Sequence, residues 1–254
     1  GIYVIGRIVV FQDAYFTEKR PDLAVKNKKG TAVWKDRKGI SWIDPASEEY
    51  WRYIVLLSEE ARKIGFDEVN FDYIRFPSDG DMQDISYTFS STTPKAEVLK
   101  NFFEYLHHNL TSPMSNVRQT TKLKISADLF GMTTTAMGDM GIGQVLKNTL
   151  PYFDYVSPMV YPSHYPKTFQ GFDDPEAHPY DVVNFEMKQA VSRALEASTT
   201  ADKLRPWLQD FGLGMNYGPD EVRAQIKAAS DASVFSWLLW SASNKYTQGA
   251  LQND

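Results

Sequence analysis

The amino-acid sequence predicts an α/β protein, a (β/α) barrel of the TIM type with six recognisable parallel strands. Short apolar runs alternate with amphipathic stretches, which is typical of right-handed βαβ units and a parallel sheet. The turn after the first run has no glycine, whereas open sheets that bind nucleotides place a glycine-rich turn there. The chain has 254 residues. Barrels of this length are routinely single domains, so we expect one domain over residues 1–254.

Six apolar runs are the predicted strands. The first, residues 2–11, has the pattern of a buried strand. The others are residues 68–76, 123–130, 155–161, 204–211 and 234–240. A closed barrel of this type has eight strands, so we expect a barrel that is incomplete at its N terminus, with the missing strands upstream of Gly1. Residues 17–42 are polar and lysine-rich and predict a long loop, with a small hairpin of 31–34 against 40–43.

Helices are predicted between the strands, where apolar residues recur at helical spacing. They span residues 48–64, 95–110, 143–150, 182–197 and 220–229. Pro45, Pro94 and Pro219 lie at or near the first position of three of these helices, a place that proline favours. Gly65 directly follows the first helix and predicts its end.

The composition excludes several classes of protein. With 27 Lys and Arg against 32 Asp and Glu, the net charge is -5, which gives no general attraction to nucleic acid or anionic membranes. No run of 18 apolar residues occurs, so we expect no transmembrane segment. Without cysteine there are no disulfides, thiolate metal sites or cysteine nucleophiles. No spacing of metal ligands is present, so we expect neither a metal nor a cofactor.

Two aspartates are the main catalytic candidates. In barrels of this kind the active site lies at the C-terminal ends of the strands. Strand alternation directs Asn70 and Asp72 to the interior from the second run, and Ser126 and Asp128 from the third. Neighbouring strands lie about 4.8 Å apart, so the two carboxyl groups are expected to be close together.

A buried carboxylate is costly unless it is paired or functional, and both interpretations stay open. In the structural one, Asp72 pairs with Arg75 or Arg7, and Asp128 caps Gly131 or the loop that follows. In the functional one, which two carboxylates on adjacent strands favour, the pair serves glycoside hydrolysis. One group then protonates the leaving oxygen while the other attacks the sugar or activates water.

Further residues near the strand ends are candidates for substrate binding. Aromatic rings there could stack on sugar rings or form a core layer, and His164 could contact a sugar hydroxyl or be an ordinary loop histidine. Trp34 and Trp42 in the long loop either line the cleft or pack under the loop. The predicted substrate-binding residues are Arg7, Asp13, Asn70, Arg75, Tyr161, His164, Trp207, Gln209, Asp210 and Trp240.

The stretch 69–77, Val-Asn-Phe-Asp-Tyr-Ile-Arg-Phe-Pro, resembles the bacterial "putative glycosyl hydrolase domain" family, a domain of unknown function. That family is similar to barrels of the α-amylase and polygalactosaminidase type. Further matching stretches lie at residues 20–26, 42–45, 157–164, 205–209 and 237–240, so the resemblance covers nearly the whole chain.

The resemblance implies a TIM-type barrel that acts on carbohydrate outside the cytoplasm, often in a cell-envelope protein. It also implies that two βα units of the family, upstream of the match to residues 2–11, are absent here. By analogy, Asp72 would be the nucleophile or charge stabiliser and Asp128 the acid, with Asp210 as a second candidate.

The expected function is therefore cleavage of a polysaccharide glycosidic bond, and the alternative is a non-catalytic carbohydrate-binding barrel of a cell-envelope protein. The two differ in whether Asp72 is desolvated and holds a proton, or is simply ion-paired to an arginine. Six strands also leave two open edges. We expect the edges of residues 2–11 and 234–240 to approach each other or to be covered by a partner, as in a homo-oligomer.

Overall fold

Parallel strands joined by helices are present throughout the structure, a computed structural model that describes residues 1–111 and 123–251. The chain divides into two units. Unit 1 comprises Gly1–Asp128 and Gly138–Asp154, and unit 2 comprises Leu129–Met137 and Tyr155–Asp254. Whether the chain is a single domain stays a prediction.

Unit 1 contains three parallel strands and two long helices. Its elements in chain order are β1 (Ile5–Val9), α1 (Ala14–Lys19), β2 (Lys26–Asn27), α2 (Glu48–Ile64), β3 (Glu68–Asp72), β4 (Ile85–Ser86), α3 (Lys95–Thr111), β5 (Lys124–Phe130) and α4 (Leu146–Thr149). The last two residues of β5 belong to unit 2. Strand β3 pairs in parallel with β1 on one side and with β5 on the other. The short strands β2 and β4 form a separate antiparallel pair.

Unit 2 repeats the alternation of strand and helix. Its elements are β6 (Tyr155–Met159), α5 (Pro179–Glu196), β7 (Trp207–Gln209), α6 (Pro219–Asp231) and β8 (Leu238–Trp240). Strand β7 pairs in parallel with both β6 and β8. The two units together thus contain all six predicted strands, each parallel to its neighbours within its unit.

Helix α2 shows why these segments fold locally as predicted. Its N-cap Ser47 accepts a hydrogen bond from the backbone N–H of Tyr50, and Glu48 and Glu49 follow in the first turn, where the helix dipole favours acidic residues. Its C-cap Gly65 has φ +107°, a left-handed conformation that glycine adopts without a Cβ penalty. The bounds agree with the predicted residues 48–64.

The first strand differs from its prediction. Residues 2–11 were expected to form a buried strand, but Ile2 is 89% exposed and Val9 is 39% exposed. Within the described residues β1 pairs with β3 alone, so its other side lacks the neighbour that would cover it. The prediction of a buried strand was therefore wrong for residues 2–9, whereas Val10 and Phe11 are fully buried. The other strands are shorter than predicted at their ends, and β3 stops at Asp72.

The predicted long loop, residues 17–42, is more ordered than expected. It contains the end of α1, a 3-10 turn at Pro21–Leu23, and strand β2. The predicted hairpin of 31–34 against 40–43 was wrong, because Val33 bridges Lys26 and Ile43 bridges Ala24, and Ser41 pairs with Lys35 just outside the predicted range. Trp42 is fully buried and donates from Nε1 to Asp36 at 3.0 Å, and Trp34 is 4% exposed. Both tryptophans thus pack under the loop rather than line an open cleft.

No helix in residues 1–111 and 123–251 is both long and apolar enough to cross a membrane. This agrees with the absence of long apolar runs in the sequence.

Candidate active site

The register of the three strands in unit 1 brings the candidate residues together. Arg7 on β1 lies opposite Asn70 on β3, and Asn70 lies opposite Ser126 on β5. Asp72 and Asp128 each follow two residues further along their strands and so share this face of the sheet. The face carries charged and amide groups at the C-terminal ends of parallel strands, where active sites of such folds are found.

Asp72 is 3% exposed and is held from two directions. The Nη2 atom of Arg7 donates to its Oδ2 atom in a close ion pair. The backbone N–H of Tyr73 donates to its Oδ1 atom at 2.6 Å. Arg7 is one of the two arginines, with Arg75, that the sequence predicted as a structural partner of Asp72. Both carboxylate oxygens of Asp72 therefore accept from donors within unit 1.

Asp128 is 1% exposed and faces the same guanidinium. Its Oδ1 atom accepts a hydrogen bond of 2.8 Å from the side-chain amide of Asn70. Its Oδ2 atom lies 3.6 Å from Nε of Arg7, whose side chain is 34% exposed. Arg7 therefore stands within ion-pair distance of both aspartates.

A third buried carboxylate, Glu68, lies on the same face nearer the N-terminal end of β3, and it was not predicted. Glu68, at the start of β3, is fully buried and accepts hydrogen bonds from Tyr3 Oη at 2.9 Å and Ser126 Oγ at 2.5 Å. It shares the face of Asn70 and Asp72, because the three residues alternate along one strand. The same alternation that selected Asp72 could have found it.

Arg75 is 8% exposed, and its guanidinium packs against two neighbouring aromatic rings. Its guanidinium carbon lies 4.8 Å from the ring centroid of Trp42 and 5.1 Å from that of Tyr73. Burial lowers the pKa of Arg75 below its usual value, and nearby groups, led by Tyr73 and Asp72, partly oppose this shift. The predicted substrate-binding Arg75 is thus held by cation–π contacts and by hydrogen bonds of 3.1 Å to the Phe76 carbonyl and Ser78 Oγ.

Tyr73 has φ +52°, which is unusual for a residue with a large side chain. This left-handed conformation turns the chain directly after Asp72, where β3 ends, and the Tyr73 N–H donates to the Asp72 carboxylate at 2.6 Å. Backbone strain of this kind is concentrated at functional sites.

Asp13 serves a local purpose in unit 1. Its Oδ1 atom accepts from the backbone N–H of Phe16 at 2.8 Å and caps helix α1, and its Oδ2 atom accepts from Tyr50 Oη at 2.9 Å. Both carboxylate oxygens of this predicted binding residue are therefore used within the fold.

Unit 2 carries its own group of candidate residues. The rings of Tyr161, His164 and Phe211 contact one another edge to face, with centroids 5.3 to 5.8 Å apart. Desolvation lowers the pKa of His164 below its usual value, and the charge of Glu176 opposes the shift. The Nδ1 atom of His164 lies 3.0 Å from Ser163 Oγ.

Gln209 and Glu176 together organise a loop in unit 2. The Gln209 side chain is fully buried; it accepts from the backbone N–H of Ser163 at 3.0 Å and donates to Glu176 at 3.2 Å. Glu176 also accepts from the backbone N–H groups of Leu213 and Gly214 at 2.8 and 2.7 Å. Glu176 was not predicted, because only the folded loop shows that it accepts these bonds.

The remaining candidates lie near the end of the chain. Asp210 accepts from the backbone N–H and the hydroxyl of Thr247 at 2.8 and 2.7 Å, so it anchors the segment after β8. Trp207 and Trp240 are half-buried and pack edge to face, with centroids 5.8 Å apart. In the described part of the chain, no group of three or more His, Asp and Glu residues is arranged to hold a metal ion.

Comparisons with known proteins add a family and a fold to this geometry. The family model described as "Putative glycosyl hydrolase domain" matches residues 1–246. No curated protein matches the chain in sequence. Among solved structures, a hypothetical protein from Ruminiclostridium thermocellum ATCC 27405 is 34% identical, with a TM-score of 0.40. The match covers 49% of this chain and 58% of that protein, so the chain spans less than two thirds of its length.

Two further structures resemble the chain over almost its whole length. The glycoside hydrolase domain of PgaB (BpsB) from Bordetella bronchiseptica is 16% identical with a TM-score of 0.62, covering 95% of this chain and 71% of that one. Ega3 from Aspergillus fumigatus, solved in complex with galactosamine, is 10% identical with a TM-score of 0.53, covering 97% and 78%. At these identities the likeness shows the fold, and it confirms the predicted TIM-type (β/α) architecture.

Proposed function

The chain belongs to this glycosyl hydrolase domain family, and on that premise we propose that it cleaves a polysaccharide glycosidic bond with Asp72 and Asp128. The main support is the pair of buried carboxylates around the guanidinium of Arg7. Glycoside hydrolysis requires two carboxyl groups with different protonation states at the scissile bond.

The contacts of Arg7 suggest how the two roles are divided. Arg7 forms its close ion pair with Asp72, which also accepts the Tyr73 N–H. On these contacts we assign to Asp72 the role of the nucleophile, or of the group that stabilises the positive charge developing on the sugar. We assign the role of the acid to Asp128, which lies further from Arg7. Asp128 then protonates the leaving oxygen.

The proposed substrate is a polysaccharide or oligosaccharide, and no cofactor or metal takes part. Half-buried aromatic residues of unit 2, Trp207 and Trp240, offer ring faces of the kind that pack on the apolar side of a pyranose. We place the protein outside the cytoplasm or in the cell envelope, on the resemblance described above. A homo-oligomer that covers the exposed edge of β1 remains part of this proposal.

A second candidate function is carbohydrate binding without catalysis, as part of a cell-envelope protein. The observation that favours it is the Arg7–Asp72 ion pair itself. An aspartate that is paired with an arginine is already satisfied and can be purely structural.

The deciding experiment is reducing-sugar release from a panel of bacterial envelope and capsular polysaccharides. Wild type is compared with Asp72→Asn and Asp128→Asn, each shown to be folded by circular dichroism. Asp22→Asn is the matched control, because Asp22 is an exposed carboxylate paired with Arg20 on the surface of unit 1. We expect release by wild type and the control, and a loss of at least ~100-fold in both site variants.

Two outcomes would reject hydrolysis by this pair. If folded wild type binds a polysaccharide without releasing sugar, the protein is a binding module. If release persists in folded Asp72→Asn or Asp128→Asn, other residues carry the reaction.

A further inference from the structure

We propose that Glu68 is a positioning residue that orients the side chain of Asp128 through Ser126 and Asn70. The three intervening contacts join a fully buried carboxylate at the start of β3 to the candidate acid four residues further up the sheet. The catalytic role of Glu68 rests on the proposed function. The orientation of the Asn70 and Asp128 side chains can be measured whether or not the protein is an enzyme.

The first step is the direction of the Ser126 hydroxyl. Its Oγ atom lies 2.5 Å from Oε1 of Glu68, and both residues are fully buried. A serine hydroxyl has one proton, and Ser126 donates it to Oε1 of Glu68. The lone pairs of Ser126 remain for another donor.

The second step is the orientation of the Asn70 amide. Its Nδ2 atom lies 3.0 Å from Ser126 Oγ and 2.8 Å from Asp128 Oδ1, so each of its two hydrogens has an acceptor. The reversed amide would place Oδ1 against the lone pairs of both groups, which is repulsive. Glu68 thus selects one of the two amide orientations.

The cost of this orientation is visible on the other side of the amide. Asn70 is 1% exposed, and its Oδ1 atom has no hydrogen-bond partner among the described residues. A buried acceptor without a donor is unfavourable. The orientation is maintained in spite of this, because both amide hydrogens are needed by Ser126 and Asp128.

The third step is the carboxylate of Asp128. With Oδ1 held by Asn70, its Oδ2 atom faces Nε of Arg7 at 3.6 Å. The plane of the carboxyl group is thereby fixed relative to Arg7 and Asp72. A proton donor works efficiently only when it is held in the geometry of the transfer, so the chain of contacts serves Asp128.

The test uses Ser126→Ala, Glu68→Gln and the control Tyr3→Phe in the whole chain. Ser126→Ala removes the acceptor of one Asn70 hydrogen, and Glu68→Gln lets residue 68 donate to Ser126 and reverse its hydroxyl. Tyr3→Phe removes a bond to the other oxygen of Glu68, outside the path to Asp128. Asn70→Asp assigns the side-chain NH2 resonances of Asn70 in the ¹H–¹⁵N spectrum.

We expect the Asn70 NH2 resonances to shift, and their exchange with solvent to quicken, in Ser126→Ala and Glu68→Gln but not in Tyr3→Phe. On a polysaccharide that the wild-type protein cleaves, we expect Ser126→Ala and Glu68→Gln to lower kcat by ~10-fold or more. KM should change less than ~2-fold, because the defect is in proton transfer rather than in substrate binding. Tyr3→Phe should stay within ~2-fold of wild type in both.

Unchanged Asn70 resonances in folded Ser126→Ala and Glu68→Gln would overturn the inference, as would a loss of kcat in Tyr3→Phe equal to theirs. If wild type hydrolyses nothing, the proposed function fails, but the resonances still decide whether Glu68 orients the amide. Should Glu68→Gln not fold, Ser126→Ala provides both measurements.

Discussion

Arg7 on β1 and Asp72 on β3 form an ion pair across two adjacent parallel strands, and the same guanidinium reaches Asp128 on β5 from its Nε atom. One cation on β1 is thus within ion-pair distance of two buried carboxylates, one on β3 and one on β5.

Replacing Arg7 by lysine tests this sharing. Lysine keeps the positive charge but is a single point donor, so it cannot contact both aspartates in the way that the guanidinium fork does. We expect Arg7→Lys to lower kcat/KM for polysaccharide cleavage by at least ~10-fold while the fold is retained. Arg20→Lys, at an exposed arginine paired with Asp22 and Glu49, is the control and should have no effect. Equal activities of the two variants would show that charge alone suffices.

The positive φ of Tyr73 predicts that a glycine variant at this position is more stable than an alanine variant. In a left-handed conformation a Cβ atom costs about 1 kcal/mol, and glycine avoids this cost. We therefore expect Tyr73→Gly to be more stable than Tyr73→Ala by ~1 kcal/mol in urea unfolding. At Tyr53, in the middle of helix α2, the order should be the opposite, because alanine favours a helix by ~1 kcal/mol over glycine. The same order at both positions would rule out strain at Tyr73.

Glu186 on α5 predicts that stability depends on pH. It is fully buried and accepts hydrogen bonds from Thr134 and Thr135. Burial raises its pKa from 4.5 to about 8, and hydrogen bonding by Thr135 and Tyr165 and the charge of Arg193 oppose this shift. The folded protein therefore keeps a proton that the unfolded chain releases above pH 4.5. Its stabilising effect is complete below that pH, falls as pH rises, and is lost above about 8.

Glu186→Gln removes this titration and keeps a neutral side chain of the same shape. Between pH 4.5 and 8 the unfolding free energy of wild type should fall relative to that of Glu186→Gln by up to ~1.4 kcal/mol per pH unit. Glu60→Gln, at an exposed glutamate paired with Lys63, should run parallel to wild type. Parallel curves for Glu186→Gln and wild type would mean that Glu186 is ionised in the fold.

Gly212, in the loop held by Glu176, predicts a local packing limit. A Cβ atom at this position would lie 1.7 Å from the carbonyl oxygen of Met215, which no packing tolerates. We expect Gly212→Ala to displace the loop, measured as faster proteolytic cleavage within residues 211–217. Gly138→Ala is the control, because a Cβ there meets nothing within 4 Å. Equal cleavage of both variants and wild type would show that the loop adapts without cost.

Much of the architecture follows from local patterns. Apolar runs located all six strands, and helical spacing located helix α2 at its bounds, because those patterns depend on which residues must face a core. The short helix α1, whose last three residues lie in the predicted loop, was missed, since six residues carry too little periodicity to be recognised. The exposure of β1 was also missed, because an apolar run shows that a strand forms but not how many neighbours it has.

By itself, the sequence determined the order of strands and helices and the face of β3 and β5 on which Asn70, Asp72, Ser126 and Asp128 lie, because alternation is a property of a single strand. Only the tertiary structure decided which charges meet. The pairing of β1 with β3 put Arg7, 65 residues away from Asp72 in the chain, against that aspartate, and the pairing of β3 with β5 joined Asn70 to Asp128. Contacts of this kind depend on strand register, which forms only when the sheet is assembled.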